Sequence, residues 1–355
     1  MATSISSNIL TTHDSAGEDG IELSIVSPVY HAEQSVRELV ARCSEAAAGL
    51  TSRYEIVLVD DRSPDNSWAE IVRCCDADER VKGVRLARNV GQHRAITAGL
   101  AASRGAFVIV LDCDLQDDPK YFPKLFETIR QGYDIVYTRK RKRQYPGLRN
   151  AAARTFYRMF NWLVEQPDTR APAETGAYSI LTRRVVEAFL RVHDYHRHYL
   201  MVLRWLGYPS TAIEIEHIDR PHGQSSYTFR KLVAHAIDGI ASQSQRLLYA
   251  SIGIGLAFVA IAGAALSYVI VSYLMIGAQP GWTSTTALIL LSTGIVLLSL
   301  GIHGVYIARI FDEVRQRPLF LVDSALNLTQ QQRESLGESN GLPVVQGDHS
   351  HRRFE

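Results

Sequence analysis

Apolar and polar positions alternate in blocks between residues 22 and 138, where short apolar runs are followed by longer amphipathic stretches. The runs predict β-strands and the stretches between them predict helices. We expect strands at residues 23–27, 54–60, 81–87, 106–112 and 134–138, with helices over 33–48, from about 66, over 92–103 and from about 119. Apolar strands that alternate with helices indicate an α/β fold with a Rossmann-like, mostly parallel sheet covered on both faces.

A long uncharged stretch lies further along the chain. The 62 residues between Arg246 and Arg309 contain no Asp, Glu, Lys or Arg. Two apolar runs, about 249–276 and 287–310, each exceed the ~20 residues that a helix needs to cross a bilayer. Arginines flank the pair, and the loop between the runs has no positive charge but contains Trp282. The positive-inside rule therefore predicts a transmembrane hairpin with both flanks in the cytoplasm.

These patterns predict five segments along the chain. Residues 1–20 are expected to be disordered, and residues 21–225 to form a cytoplasmic α/β domain. Apolar positions at helical spacing within 226–248 predict a juxtamembrane amphipathic helix. The hairpin takes residues 249–311, and 312–355 form a cytoplasmic tail that is largely disordered after about 327. The balance of 38 basic and 37 acidic residues argues against a nucleic-acid partner.

Acidic side chains gather where the predicted strands end. Asp60 and Asp61 end the second strand, and Asp112 and Asp114 end the fourth, with Gln116 two residues further on. Ligands bind at the carboxyl ends of the strands in such sheets. Strand side chains repeat every two residues, so Asp112 and Asp114 are expected on one side of an extended backbone. Such oxygen ligands suit Mg²⁺ or Mn²⁺.

Four motifs in order resemble the family 2 glycosyltransferases, and more narrowly the dolichyl-phosphate mannose synthase-like branch that makes polyprenyl-phosphate sugars. The motifs are Ser-Pro-Val-Tyr-His-Ala-Glu (27–33), Val-Asp-Asp-Arg-Ser-Pro-Asp (59–65), Arg-Asn-Val-Gly-Gln (88–92) and Leu-Asp-Cys-Asp-Leu-Gln-Asp-Asp-Pro (111–119). The resemblance runs from about residue 21 to 322. It implies the GT-A (nucleotide-diphospho-sugar transferase) fold, followed by the interfacial helix and the two-helix hairpin.

The resemblance also implies roles for individual residues. The nucleotide-binding set is Pro28, Tyr30, Glu33, Asp60, Asp61 and Asp112, and the metal and diphosphate set is Asp112, Asp114 and Gln116. The acceptor phosphate is assigned to Arg139, Arg143 and Ser225, and the catalytic set to Asp114, Arg139, Arg143 and Glu174. Arg62 stands where the family usually has Gly, and Ala177 where many relatives have an acid. Glu174 is the nearest acid to that position, so its action as a base is a hypothesis.

The implied reaction is inverting, metal-dependent transfer of a sugar from a nucleoside-diphosphate sugar, with UDP favoured, to polyprenyl (undecaprenyl) phosphate. A phosphate acceptor is largely ionised near neutral pH, so it needs no strong base. We expect a multi-pass protein of the bacterial inner membrane that serves cell-envelope glycan or lipid modification. Alternatives are another membrane acceptor, a polysaccharide synthase, or a non-catalytic membrane scaffold. The sequence leaves the oligomeric state open, and a homo-oligomer is compatible with it.

Overall fold

The structure is a computed structural model that describes residues 20–140, 175–195, 197–216 and 281–338, together with single helical positions between Gly253 and Met275. The described residues fall into two compact units. Unit 1 takes those within 20–140, 175–216 and 318–338, and unit 2 takes those within 253–317. The polar end of the chain therefore belongs to the same unit as its amino-terminal part.

Unit 1 alternates strands and helices from its first strand onward. Its strands are β1 (Leu23–Val29), β2 (Tyr54–Asp60), β3 (Val81–Leu86), β4 (Phe107–Val110), β5 (Ile135–Lys140), β6 (Thr175–Thr182), β7 (Ser210–Ile215) and β8 (Val322–Leu326). Its helices are α1 (Val36–Ala48), α2 (Ser67–Ala77), α3 (Gln92–Ala102), α4 (Phe122–Ile129), α5 (Arg183–Arg191), α6 (Tyr199–Leu206) and, numbered after the helix of unit 2, α8 (Gln330–Glu338). The five strands expected from the sequence are all present, and β6, β7 and β8 were not expected.

Among the described residues the strands form one sheet in the order β7-β5-β6-β4-β1-β2-β3-β8. The central strands β4, β1, β2 and β3 are parallel, and so is the β5–β7 pair. β6 runs antiparallel to both β4 and β5, and β8 runs antiparallel to β3. The α/β, Rossmann-like architecture is confirmed, but the sheet is mixed, because the antiparallel pairs all involve strands that the sequence pattern did not predict.

The sheet is buried between two helical layers. One face packs against α1, α2 and α4, and the other against α3, α5, α6 and α8. All seven residues of β1 are buried, which explains its continuous apolar pattern. α3 lies very close to the sheet at Gly99, where an added Cβ would stand 2.3 Å from Cγ1 of Val26. This close packing fixes the carboxyl-terminal half of α3 against β1 and β2.

The prediction of disorder after about residue 327 is wrong for residues 330–338, which form α8. The helix begins with a capping box, in which the backbone N–H of Gln332 donates to Thr329 Oγ1 (3.3 Å) and the backbone N–H of Thr329 donates to Gln332 Oε1 (2.9 Å). Gln332 is wholly buried and also donates to Glu55 Oε2 (3.0 Å). Polar composition suggested disorder, but these polar groups are satisfied by one another inside the domain.

Unit 2 contains a long apolar helix, α7 (Trp282–Val314). Within it, Leu291–Val314 is long and apolar enough to cross a membrane, and none of its most apolar window is buried. It is the one such helix among the residues that the structure describes. In the earlier apolar run, 249–276, twelve separate positions are described and all are helical. The two-helix hairpin stays a prediction, and the amphipathic helix predicted at 226–248 lies outside the described residues.

Candidate functional site

The loops that follow β1 and β2 are joined by hydrogen bonds. The His31 N–H donates to Ser63 Oγ (2.8 Å), and the Glu33 N–H donates to Asp65 Oδ2 (3.2 Å). In return, Glu33 Oε2 accepts the N–H of Asn66 (3.0 Å) at the start of α2. Because Glu33 satisfies a helix terminus, its observed contact is structural. These hydrogen bonds thus hold the two loops together at the carboxyl edge of the sheet.

Two further members of the predicted nucleotide-binding set lie at or near the same edge of the sheet. Pro28 is buried within β1. Tyr30 is the first residue after this strand; it is 45% exposed and its ring packs edge-on against the ring of His31 (4.6 Å between centroids). His31 has a positive φ of 53°, which turns the chain sharply after the strand. Tyr30 is therefore the member that presents an aromatic face to solvent at this edge, as a stacking partner for a nucleotide base would.

Asp60 is fully buried at the end of β2. Its Oδ1 accepts the N–H of Ser63 (3.0 Å), and its Oδ2 lies 3.2 Å from Arg85 Nε. Arg85 also lies over the ring of Trp68, 5.5 Å from its centroid. Burial raises the pKa of Asp60, while the Ser63 N–H and the charge of Arg85 act in the opposite direction. The structure thus places Asp60 beneath the site, as a buried partner of Arg85, and shows no exposed surface on it.

Asp61 is also buried and fixes the loop that precedes α3. Its carboxylate accepts the backbone N–H groups of Val90 (2.7 Å) and Gly91 (2.9 Å), and its carbonyl accepts Nδ2 of Asn89 (3.1 Å). Burial raises the pKa of Asp61, and the two backbone donors oppose that rise. Gly91 has a φ of +91°, a conformation that favours glycine. Asp61 therefore shapes the Arg-Asn-Val-Gly-Gln motif.

The acidic turn, residues 112–118, lies just beyond the end of β4. Pairing of β4 with β1 ends at Val110, and the Leu111 N–H makes the last bond, to Val26 O (3.1 Å). Asp112 and Asp114 therefore lie in a turn, and the expectation that they share one side of an extended strand is wrong. The reversal is completed at Leu115, whose φ is +61°.

Internal hydrogen bonds and donors from three other elements hold the acidic turn. Within it, Asp117 Oδ2 accepts the N–H of Asp112 (3.3 Å), and Asp114 Oδ1 accepts that of Gln116 (3.1 Å). From outside, the donors are Ser35 Oγ to Cys113 O (2.8 Å), Tyr178 OH to Asp118 O (2.9 Å), and Gln92 Nε2 to Asp112 Oδ1. They come from the start of α1, from β6 and from the start of α3. The turn is thus fixed by two helix starts and by β6.

The donor chemistry of the acidic turn fits a hard divalent cation. Asp112 and Asp114 are partly exposed carboxylates two positions apart in one turn, and Gln116 adds an amide in the same turn. Burial raises the pKa of the Cys113 thiol to about 12, so without a bound metal the residue between them is a neutral thiol. The described residues contain no group of three or more His, Cys, Asp or Glu side chains placed to hold a metal. A cation here would complete its shell with water or diphosphate oxygens.

Of the remaining predicted site residues, Arg139 is described by the structure and three others are not. Arg139 lies in β5 opposite Thr175 of β6 and Glu214 of β7, and it is partly buried. Arg143, Glu174 and Ser225 lie outside the described residues. Ala177 lies in β6 and is half-buried, so no acid occupies the position where many relatives carry one.

Sequence reasoning missed several residues that shape the site. Arg62, which stands where the family usually has Gly, adopts a φ of +54° and pairs with Asp323 of β8 (3.1 Å). The ring of His93 in α3 stacks on that of His198 at 3.9 Å, so the loop before α6 packs on α3. Gln92 was visible only as the last letter of a motif. Its side-chain contact could not be read from the sequence, because its partner lies 20 residues away.

Comparison with known proteins assigns the family. Residues 24–204 match the family model described as glycosyl transferase family 2. An uncharacterized glycosyltransferase of Synechocystis sp. is 34% identical over 310 residues, which cover 87% of this chain and 96% of that protein. The undecaprenyl-phosphate 4-deoxy-4-formamido-L-arabinose transferase of Erwinia tasmaniensis is 34% identical over 312 residues, covering 86% of this chain and 94% of that protein.

A more distant likeness is found among solved structures. Glucosyl-3-phosphoglycerate synthase from Mycobacterium tuberculosis is 18% identical with a TM-score of 0.42, covering 63% of this chain and 79% of that one. This level of similarity adds nothing to the assignment, which rests on the family match and on relatives aligned over nearly their whole length. The chain is a glycosyltransferase and belongs to glycosyl transferase family 2.

Proposed function

We propose that this glycosyltransferase moves a sugar from a nucleoside-diphosphate sugar, with UDP as the nucleotide, to undecaprenyl phosphate on the cytoplasmic face of the inner membrane. The observation that carries the proposal is the acidic turn, which hydrogen bonds from neighbouring elements fix in place next to the loops after β1 and β2. Support for the acceptor comes from relatives named undecaprenyl-phosphate transferases, which align with this chain through its apolar segment as well as its α/β domain.

The acidic turn is the proposed place for the donor diphosphate. Asp112 and Asp114, with Gln116, would hold Mg²⁺ or Mn²⁺, which when bound neutralises the leaving diphosphate. Tyr30 would stack on the base at the exposed edge of the same site, because its ring is the aromatic surface available there. The buried Asp60 and Asp61 act through the loops they fix, so their part in nucleotide binding is to shape the pocket.

Displacement at the anomeric carbon with inversion needs the acceptor aligned on the face opposite the leaving group. A phosphate monoester has a second pKa near 6 and is already an anion at neutral pH, so no protein base has to remove a proton. This fits Ala177, which replaces the acid of many relatives. Arg139, Arg143 and Ser225 are proposed to bind the acceptor phosphate, and Glu174 is proposed to assist without being essential.

The chain connectivity supports an even number of membrane crossings. β8 follows α7 in sequence, and its residues pair with β3, as at Ala325 opposite Val84. Backbone hydrogen bonds cannot form across a bilayer, so the chain must leave and return on the same side. If α7 spans the membrane, a second helix has to accompany it, and the apolar run 249–276 is long enough. Arginines at both flanks put the α/β unit in the cytoplasm.

The central experiment combines the full-length protein in detergent, undecaprenyl phosphate, Mn²⁺ or Mg²⁺ and a panel of nucleotide sugars. We expect one donor to give a lipid-extractable sugar, and Asp114→Ala to abolish the product. Asp76→Ala is the matched control, because Asp76 is an exposed carboxylate on α2, away from the turn. If no donor yields a lipid product, or if Asp114→Ala keeps full activity, the proposal is wrong.

Two secondary tests address the base and the topology. Glu174→Gln should retain substantial activity, and complete loss would contradict a reaction in which phosphate is its own nucleophile. For topology, a membrane-impermeant thiol reagent applied to intact cells should label Ser284→Cys, which lies between the two apolar runs in the first turn of α7, but not Ser339→Cys. Equal labelling of both positions would contradict the hairpin.

A further inference from the structure

We propose that Gln92 is a positioning residue that orients the carboxylate of Asp112 for metal binding, an inference that rests on the function proposed above. Gln92 is the first residue of α3, and its Nε2 donates a hydrogen bond to Asp112 Oδ1. The contact joins the start of a helix to the turn after β4, two elements that neighbour one another only in the folded sheet. Gln92 is not among the residues expected to touch metal or nucleotide, so its role would be exerted through Asp112.

The backbone just before Gln92 is itself held in place by hydrogen bonds to Asp61. The carboxylate of Asp61 accepts the N–H groups of Val90 and Gly91, the two residues that precede Gln92. Gly91 is the amino-terminal cap of α3, with a φ of +91°. A chain of contacts thus runs from the buried Asp61 through the loop to Gln92 and then to Asp112. An amide held on such a rigid support can define the orientation of a partly exposed carboxylate, which would otherwise sample several rotamers.

The chemical nature of the donor supports this role. A Lys or Arg in the same place would pair with Asp112 and reduce the negative charge that attracts a cation. The neutral amide of Gln92 fixes the carboxylate and leaves its charge in place. Outer partners that orient metal ligands in this way are known to change metal affinity by about 10- to 100-fold when removed. Because Gln92 is solvent-accessible, we expect an effect at the lower end of that range.

The test measures Mn²⁺ binding directly, by the electron paramagnetic resonance signal of free Mn²⁺ during titration of the full-length protein in detergent. Gln92→Met keeps the length of the side chain but removes the amide donor, and it should weaken Mn²⁺ binding by about 10-fold. Gln92→Lys keeps a donor but adds a charge, and it should weaken binding at least as much. Gln131→Met is the matched control, because Gln131 is exposed at the end of α4, away from the turn.

A purely structural role for Gln92 makes a different prediction. If Gln92 only stabilises the start of α3, the Met variant should melt at a lower temperature and bind Mn²⁺ as tightly as wild type. The proposal requires the reverse: an unchanged melting temperature and a weaker Mn²⁺ affinity. A Gln92→Met protein with wild-type Mn²⁺ affinity overturns the proposal, whatever its melting temperature.

Failure of the proposed function would give a distinct result. In that case the wild-type protein would show no saturable Mn²⁺ binding that Asp114→Ala removes, and the inference about Gln92 would fall with it. If wild type binds Mn²⁺, Asp114→Ala does not, and Gln92→Met matches wild type, only the inference about Gln92 is wrong. The three proteins measured side by side therefore distinguish the two failures.

Discussion

Replacement of Gln332 by Ala should destabilise the α/β unit strongly, although Gln332 lies in the polar carboxyl-terminal region. Its Nε2 donates to Glu55 Oε2 (3.0 Å) and to Ala102 O (2.7 Å), and its Oε1 accepts the N–H of Thr329 (2.9 Å). Glu55 is buried, and its other oxygen accepts from Ser24 Oγ (2.7 Å). Removal of the Gln332 amide therefore leaves a buried carboxylate with one donor fewer.

The magnitude follows from the kinds of bond that are lost. A hydrogen bond to a charged group contributes about 1.5–3 kcal/mol, and each neutral one about 0.5–1.5 kcal/mol. One charged and two neutral bonds lie on Gln332, which gives a loss of about 4 kcal/mol. A domain of this size shifts its melting temperature by roughly 2–4 °C per kcal/mol, so we expect a decrease of roughly 8–16 °C. Ala has the higher intrinsic helix propensity, so the loss comes from these hydrogen bonds, including the capping bond to Thr329, and not from helix propensity.

The assay is thermal unfolding of the full-length protein in detergent, followed by near-ultraviolet circular dichroism. Gln331→Ala is the control, because Gln331 is the exposed neighbour in α8 and its backbone carbonyl, which accepts from Arg104 Nη2 (2.7 Å), is retained. It should melt close to wild type. Equal melting temperatures for Gln331→Ala and Gln332→Ala would refute the reasoning, since α8 would then not bind Glu55 in the folded protein.

Three further changes test other parts of the structure. Arg85→Met removes the charge beside buried Asp60, and urea unfolding should show a loss of about 2 kcal/mol at pH 7, the size of one hydrogen bond to a charged group. Burial raises the pKa of Asp60, and that pKa rises further without Arg85, so the loss should shrink as the pH falls through it and the folded variant takes up the proton. A loss that grows at lower pH would contradict this assignment. Tyr178→Phe removes the donor to Asp118 O and should cost about 1 kcal/mol in the same assay, whereas an unchanged unfolding midpoint would mean that the bond contributes nothing. Gly99→Ala overpacks the contact between α3 and the sheet and should cost about 1–3 kcal/mol; wild-type stability would show that the helix can move away freely.

Much of the fold could be predicted from the sequence because its signals are local. Five strands and the helices between them follow from apolar periodicity, and the first five strands of the structure lie where those runs lie. The carboxyl-edge position of the acids follows from the same pattern. The helical span of α7 follows from the uncharged stretch, although the helix begins at Trp282, before the apolar run itself.

The strands that the pattern missed are those whose stability depends on neighbours. β6 pairs with β4 and β5, and β8 pairs with β3 more than 200 residues earlier in the chain. Nothing local marks β8 as a strand, since its sequence Val-Asp-Ser-Ala-Leu contains two polar residues. α8 carried a readable signal in the Thr329 and Gln332 capping box, but the polar composition around it favoured disorder.

The sequence by itself determined the first five strands with the helices between them, the family resemblance and the chemistry available at the end of β4. Only the tertiary structure decided that Asp112 and Asp114 lie on a turn, that Asp60 and Asp61 are buried supports, and that Gln92 contacts Asp112. The physical reason is the distance along the sequence over which each kind of interaction acts. Periodicity and turn formers act between residues a few positions apart, whereas the orientation of a carboxylate depends on donors brought together by strand order, helix packing and the return of the chain to β3.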